Sequence, residues 1–317
     1  AQINDHHMII KILGSAAGGG FPQWNCNCSN CADVRNGAPG FTARTQSSLA
    51  VSRDGKDWVL LNASPDLRKQ INDTPELGAQ SSGGLRNSPI KAAVLTNGDV
   101  DHISGLINLR EMEPLAVYGS DRVLTVLAQN SIFNVLNSEK VVRRELKLGE
   151  PTKLSGTEAM LGITVEAFPV PGKVALYLED ASKGADFGTV EGDTIGLKIT
   201  DTETGKYFFY VPGCADLDAP LARRLEGAAL VFFDGTLFDD NEMIDAGLSA
   251  KTGKRMGHIS MSGPEGSIAA FEKLGVARKV YVHINNSNPV LNENSDARKE
   301  AEAAGWSIGY DGMEIRI

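Results

Sequence analysis

The sequence predicts an α/β fold in which two sheets are flanked by outer helices, an αββα sandwich. Three observations carry that expectation. Strand-like runs are followed by helix-like segments in both halves of the chain. Two stretches of consecutive short strands joined by hairpin turns interrupt this alternation, which disfavours a single doubly wound sheet. The 317 residues, 42% of them apolar, suffice for one large buried core. Residues 1–7 read as a remnant ahead of the native chain, so His6 and His7 carry no functional weight, and a single domain is expected over 8–317.

The first element is an apolar strand from Met8 to Leu13. It ends in Gly14-Ser15-Ala16-Ala17-Gly18-Gly19-Gly20, which lacks the Lys-Ser/Thr of a P-loop and reads as a tight turn rather than a phosphate cradle. Gln46–Val51 and Asp57–Leu61 form a hairpin about Asp54-Gly55. A helix follows at Leu67–Asn72, an exposed Gly/Ser-rich loop at 78–89, and a buried strand at Ile90–Leu95. Gly105–Arg110 starts another helix, Ala116–Tyr118 is a strand, and Asp121–Leu136 is helical. Short strands are expected at Val141–Leu148, Ile163–Val170, Ala175–Leu178, Thr194–Thr200 and Lys206–Val211, with a hairpin turn at 201–205. Helices at Leu221–Leu225, Glu265–Leu274 and Ser295–Ala304 alternate with strands at Ala229–Phe233, Lys279–Ile284 and Ile308–Ile317.

The formal net charge is −9 and no Lys/Arg cluster stands out, which disfavours nucleic acid or an anionic membrane as partner. No run of about 18 apolar residues suggests a membrane span, and no secretory signal is visible, so a cytoplasmic protein is expected. Three of the four cysteines fall in Cys26-Asn27-Cys28-Ser29-Asn30-Cys31. This spacing lets thiolates wrap one tetrahedral ion in a reducing compartment, so a structural zinc is expected. The fourth ligand is open among Cys214, His258, Asp33 and Asn286.

The second chemical feature is Thr96-Asn97-Gly98-Asp99-Val100-Asp101-His102, between a buried strand and a helix. Its carboxylates and imidazole can converge on a cation, or the stretch can be a polar turn with Asp capping the next helix. The pattern resembles the metallo-β-lactamase superfamily signature His-x-His-x-Asp-His, with Asn97 and Asp99 where the two early histidines stand and Asp101 and His102 matching. Asn62-Ala63-Ser64-Pro65-Asp66 resembles the family's Asp-Ala-Gly turn, and His283 sits where its last metal histidine stands. The stretches 12–28, 96–106, Met256-Gly257-His258-Ile259-Ser260-Met261 and His283-Ile284-Asn285-Asn286-Ser287-Asn288-Pro289 look like the pyrroloquinoline quinone (PQQ) biosynthesis protein B family, in order across nearly the whole chain.

The departures bear on chemistry. Hydrolytic members of the superfamily bind two metals, yet here the third histidine of the first metal would fall near Pro171-Gly172 and the bridging Asp near Pro212-Gly213, where neither occurs. Asp101, His102 and His283 remain, with Asp99 as a further ligand or supporting carboxylate. Two histidines and one carboxylate are the ligand set of non-heme Fe(II) oxygenases, although Zn²⁺ fits the same ligands. The resemblance implies iron-dependent hydroxylation of the tyrosine of a Glu–Tyr unit cut from a precursor peptide. A carrier of PQQ or its precursor, and a single-zinc hydrolase, are the alternatives. His258 is the candidate acid–base, with a structural histidine as the plainer reading. Ser260 and Ser262 are possible donors to a carboxylate, and Asp66 and Asp234 are supporting carboxylates or caps. Related phosphodiesterases carry a zinc histidine three residues after the last active-site histidine, where this chain has Asn286.

Overall fold

The computed structural model describes residues 7–317, so the expected remnant lies outside the described residues except for His7. Strands are numbered along the chain. One sheet has the spatial order β14 (Glu314–Arg316), β1 (Ile9–Gly14), β2 (Ser48–Ser52), β3 (Trp58–Leu61), β4 (Ile90–Val94), β5 (Leu115–Gly119), β6 (Val141–Glu145). The other has the order β13 (Trp306–Ile308), β12 (Arg278–Val282), β11 (Leu230–Asp234), β10 (Tyr207–Val211), β9 (Ile195–Asp201), β8 (Met160–Pro169), β7 (Thr152–Ser155). Both are mixed: β3 to β6 and β10 to β13 run parallel, and hairpin strands fill the remaining positions.

The layering follows from strands that are apolar on both faces. Leu230 and Phe232 of β11 point into the core between the sheets, where they meet Ile10, Leu49, Val94, Leu197 and Val280. Val231 and Phe233 point the other way, against Phe271, Ala301 and Trp306 beneath the outer helices. Leu60, Ala93 and Val117 do the same on the first sheet, under Leu67, Leu106, Val123 and Leu127. Sheets buried on both faces need helices outside them, so the predicted αββα sandwich is borne out.

Four local expectations need correction. The helix predicted over 121–136 ends at Gln129, because Asn130 adopts an extended backbone, and resumes as a 3-10 turn at Ser131–Val135. The helix after the acidic stretch begins earlier, at Val100–Ile103, and residues Ser104–Leu109 form a 3-10 turn. Ala175–Leu178 is not a strand; Leu176–Leu178 is a 3-10 turn within a long excursion between β8 and β9. The predicted last strand is two strands in different sheets, since the chain crosses at Gly309–Gly312, where Gly312 takes φ +90°. Short apolar runs do not reveal such a change of partner.

The parallel strands β4, β11 and β12 end at the same rim of the sandwich, where ligand sites form in α/β sheets. There Ile195 N donates to Thr96 O at 2.9 Å, joining the two sheets. The turn after β3 is packed onto the acidic stretch by Ala63 N to His102 O at 2.8 Å and Gly105 N to Ala63 O at 3.0 Å. A Cβ on Gly105 would lie 2.1 Å from Ser64 O. Gly105→Ala is therefore expected to destabilise the fold by about 1–3 kcal/mol in urea denaturation; an unchanged midpoint would refute this close packing.

Candidate metal centre

Asp101 and His102 lie on the short helix after β4, and His283 follows β12. His283 takes φ +57°, the left-handed region, at a cost of about 1–2 kcal/mol. That turn directs its imidazole across the rim. His102 Nε2 and His283 Nε2 lie 3.5 Å and 3.1 Å from Asp101 Oδ2. These three residues place donor atoms within 4.8 Å of one another.

The proton positions follow from the partners. Thr236 Oγ1 has one hydrogen and gives it to Asp234 Oδ1 at 2.6 Å. His283 Nδ1–H therefore donates to Thr236 Oγ1, 2.8 Å away. His102 Nδ1–H donates to Asn97 Oδ1 at 2.6 Å. In their neutral forms both rings then turn Nε2 lone pairs to the Asp101 carboxylate, 3.1 Å away for His283, and His102 Nε2 is buried with no hydrogen-bond partner. Lone pairs facing each other at this distance fit a cation between them, and the partners on Nδ1 are the usual means of orienting metal histidines. Burial lowers the His102 pKa to about 4, against the opposing charge of Asp101, so the imidazole is neutral at pH 7 and ready to ligate.

Asp99 does not join this group. Its Oδ1 accepts from Leu176 N at 3.3 Å, and burial together with the Asp101 charge raises its pKa to about 6. His258 lines the same cavity, of about 420 Å³, and donates Nδ1–H to Asp234 Oδ2 at 2.6 Å. Burial lowers the His258 pKa, yet the Asp234 charge and hydrogen bond outweigh it and leave it raised. The close group Asp234, His258 and His283 is accounted for by these hydrogen bonds through Thr236. Gly213 lines the cavity without a side chain, near the position of the missing bridging Asp. Gly18 approaches closely: a Cβ there would lie 3.3 Å from Asp101 Cγ. The glycine-rich turn thus lets backbone pass the carboxylate.

Other candidates act elsewhere. Asp66 accepts from Gln46 N at 2.8 Å and braces the 46–66 region. Ser262 Oγ donates to Phe238 O at 2.7 Å and Ser260 Oγ to Ser262 O at 3.2 Å, bonds that tie the 260–262 loop to the segment after β11. Sequence reasoning missed Thr236 altogether and read Asn97 only as a lost ligand. The one available signal for Thr236 was its place two residues beyond a strand-ending Asp.

The Sγ atoms of Cys26, Cys28 and Cys31 lie within 4.8 Å of one another. Burial and the neighbouring Cys28 push the Cys31 thiol up to about 12, so a cation is needed to draw out its thiolate. Among the described residues no fourth Cys, His, Asp or Glu joins them. Cys214 is buried elsewhere, its thiol 2.9 Å from Asp216 O. Asn286 turns its side-chain amide to Gln23 Oε1, 3.0 Å away, while its carbonyl lies 3.8 Å from Cys28 Sγ and accepts from Asn30 Nδ2 at 3.0 Å. The main chain of Asn286, three residues beyond His283, is what meets the cysteine loop.

A beta-lactamase superfamily domain matches residues 57–284. The coenzyme PQQ synthesis protein B of Rhodopseudomonas palustris is 51% identical over 98% of this chain and all of its own length. The chain belongs to the coenzyme PQQ synthesis protein B family. Its counterpart in Xanthomonas oryzae is 50% identical over 98% of this chain and all of its own. A crystal structure of zinc-bound PqqB from Methylobacterium extorquens is 46% identical, covers 98% of this chain and all of that one, and superposes with a TM-score of 0.91. A diphosphatase of the PhnP family, 18% identical and covering 98% and 97% of the two chains, shares the fold with a TM-score of 0.68. No helix among the described residues is long and apolar enough to cross a membrane.

Two outcomes test the centre. Asn97→Ala frees the His102 tautomer and should weaken metal binding about 10–100-fold in chelator competition; unaltered affinity would remove Asn97 from the centre. Cys28→Ser should lower both thermal stability and active-site metal occupancy, because the cysteine loop bonds the 286–288 backbone beyond His283. An unchanged metal content at the histidines would sink that linkage.

Proposed function

We propose that this family member takes part in PQQ biosynthesis as a single-metal enzyme that hydroxylates the tyrosine ring of a Glu–Tyr unit derived from a precursor peptide. In this reading Asp101, His102 and His283 hold Fe²⁺, with Asp99 beside them, and Cys26, Cys28 and Cys31 hold a structural zinc. The observation that carries it is the pair of Nε2 lone pairs and one carboxylate oxygen aimed at one point, with the protons fixed on the far side of both rings. Such a set leaves coordination positions open. Bound ferrous iron would supply the redox chemistry by which one atom of O₂ enters the ring and the other leaves as water, with two electrons and two protons from an external reductant.

The chain's own residues do the rest. The cavity admits a dipeptide-sized ligand beside the donors. Asp234 holds His258 by Nδ1–H, so that the ring in its neutral form presents Nε2 to take the phenolic proton. Three thiolate ligands persist in a reducing compartment, which agrees with a cytoplasmic site of action.

A second reading has one favouring observation: the Methylobacterium extorquens relative was crystallised with zinc, which is redox-inert. That suits a carrier of PQQ or its precursor, or a single-zinc hydrolase. The test is anaerobic reconstitution with Fe²⁺, then O₂, Glu–Tyr and a two-electron reductant such as ascorbate, with mass spectrometry of the dipeptide. The expected product gains one oxygen atom, and His258→Gln slows its formation about 10²–10⁴-fold. No oxygenated product, with tight binding of PQQ, supports the carrier; cleaved dipeptide supports the hydrolase.

A further inference from the structure

Three cations line the cavity beside the metal donors, and the proposed chemistry does not use them. Lys173, Lys251 and Arg255 all face the cavity that holds Asp101, His102 and His283. Arg255 is already committed. Its Nη1 and Nη2 meet Glu179 Oε1 and Oε2 at 3.0 and 3.1 Å, the paired geometry by which an arginine holds a carboxylate. The Arg255 bond, with Lys251 and Lys173 further off, keeps the Glu179 carboxyl below its usual range.

The excursion between β8 and β9 carries Lys173 and Glu179 and is fastened over the centre. Leu176 N meets Asp99 Oδ1 at 3.3 Å and Tyr177 OH meets Gly98 O at 2.8 Å. Within it Phe187 takes φ +54°, a strained backbone for a bulky residue. Its ring receives Arg255 Cζ at 3.8 Å and Lys173 Nζ at 4.4 Å from the centroid. Lys173 also packs on Gly257, where a Cβ would lie 3.4 Å from Lys173 Cγ. These contacts fix where Lys173 and Arg255 stand. Among the described residues neither Lys173 nor Lys251 has a carboxylate ion pair of its own.

The balance of charge follows. Glu179 neutralises Arg255, and a bound dication neutralises Asp99 and Asp101. Two lysine ammoniums remain in a partly buried cavity, and an uncharged aromatic ligand would leave them unmatched. We propose that Lys173 and Lys251 read the carboxylates of the ligand, so that this site selects an anionic, amino-acid-derived aromatic carrying at least one carboxylate. Arg255 and Glu179 are the frame that holds this wall. The inference rests on the cavity being the substrate site of the proposed function, but it requires no turnover.

The test is calorimetric binding to the zinc-loaded protein with three probes: Glu–Tyr, the same dipeptide with both carboxylates as amides, and PQQ. Wild type should prefer Glu–Tyr over the diamide by about tenfold for each lysine engaged. The double variant Lys173→Gln/Lys251→Gln should bind Glu–Tyr and PQQ as weakly as wild type binds the diamide, with metal content and melting temperature unchanged. Lys173→Arg/Lys251→Arg should keep the preference, which a merely structural role does not require. Equal binding of Glu–Tyr and the diamide by wild type, or an undiminished preference in the glutamine variant, overturns the proposal even if the iron-loaded enzyme hydroxylates Glu–Tyr. Discrimination without any oxygenated product upholds the carboxylate wall and removes the hydroxylase reading instead.

Discussion

The buried Asp234 carboxylate accepts four hydrogen bonds at the end of β11, and the rest of the centre takes its orientation from them. Cys214 N and His258 Nδ1 reach Oδ2 at 2.9 and 2.6 Å, while Thr236 N and Oγ1 reach Oδ1 at 3.0 and 2.6 Å. Burial raises the pKa of such a group, yet the charge of His258 and these bonds hold it ionised, below the usual carboxylate range. An ionised carboxylate inside a protein costs several kcal/mol unless it is satisfied in this way. Because Thr236 spends its only proton on Asp234, His283 must donate Nδ1–H to Thr236, and its neutral ring turns the Nε2 lone pair toward Asp101. One carboxylate thus fixes two rings: His258 directly and His283 through a hydroxyl. Asn97 performs the same service for His102 from the other sheet. The centre is held by both halves of the sandwich, which explains why it sits where the two sheets meet.

Much of this was legible in the sequence for physical reasons. Runs such as Ile90–Val94 and Leu230–Asp234 are apolar on both faces, and only a strand covered on both sides needs that. Cys26, Cys28 and Cys31 sit close enough along the chain to meet whatever the fold around them. Asp101 and His102 are neighbours, so only His283 had to be brought from afar, and its position at a strand end was visible. What the sequence hid was decided by three-dimensional partners. Asn97 looks like a lost ligand until His102 is seen to donate to it. Nothing about Thr236 marks it until Asp234 and His283 are seen on either side. The 3-10 turn at Leu176–Leu178 has an apolar run that a strand would also show. The crossing at Gly309–Gly312 depends on which sheet offers an edge, β12 for Trp306–Ile308 and β1 for Glu314–Arg316.

Two loops couple to the centre from outside the sheets. The cysteine loop grips the backbone of Asn286 and Asn288 just beyond His283, so order in one is order in the other. The excursion after β8 reaches Asp99 and Gly98, brings Lys173 into the cavity wall and holds Arg255 there through Glu179. Family membership in coenzyme PQQ synthesis and a metal-ready centre therefore coexist with a cavity whose surplus charge suits an anion. A carrier and an enzyme share these features up to the identity of the ion; an ion that changes redox state separates them.

The central claim is that this fold, which in two-metal relatives of the superfamily holds a dinuclear site, here holds one metal on two histidine Nε2 atoms and a carboxylate. X-ray absorption at the iron edge of the iron-reconstituted protein tests this most directly, because a zinc ion held by the cysteine loop would not contribute to that edge. The account predicts two imidazole nitrogens among oxygen ligands and no metal neighbour. A metal–metal vector at about 3.5–4 Å, the spacing of two-metal sites, would contradict it.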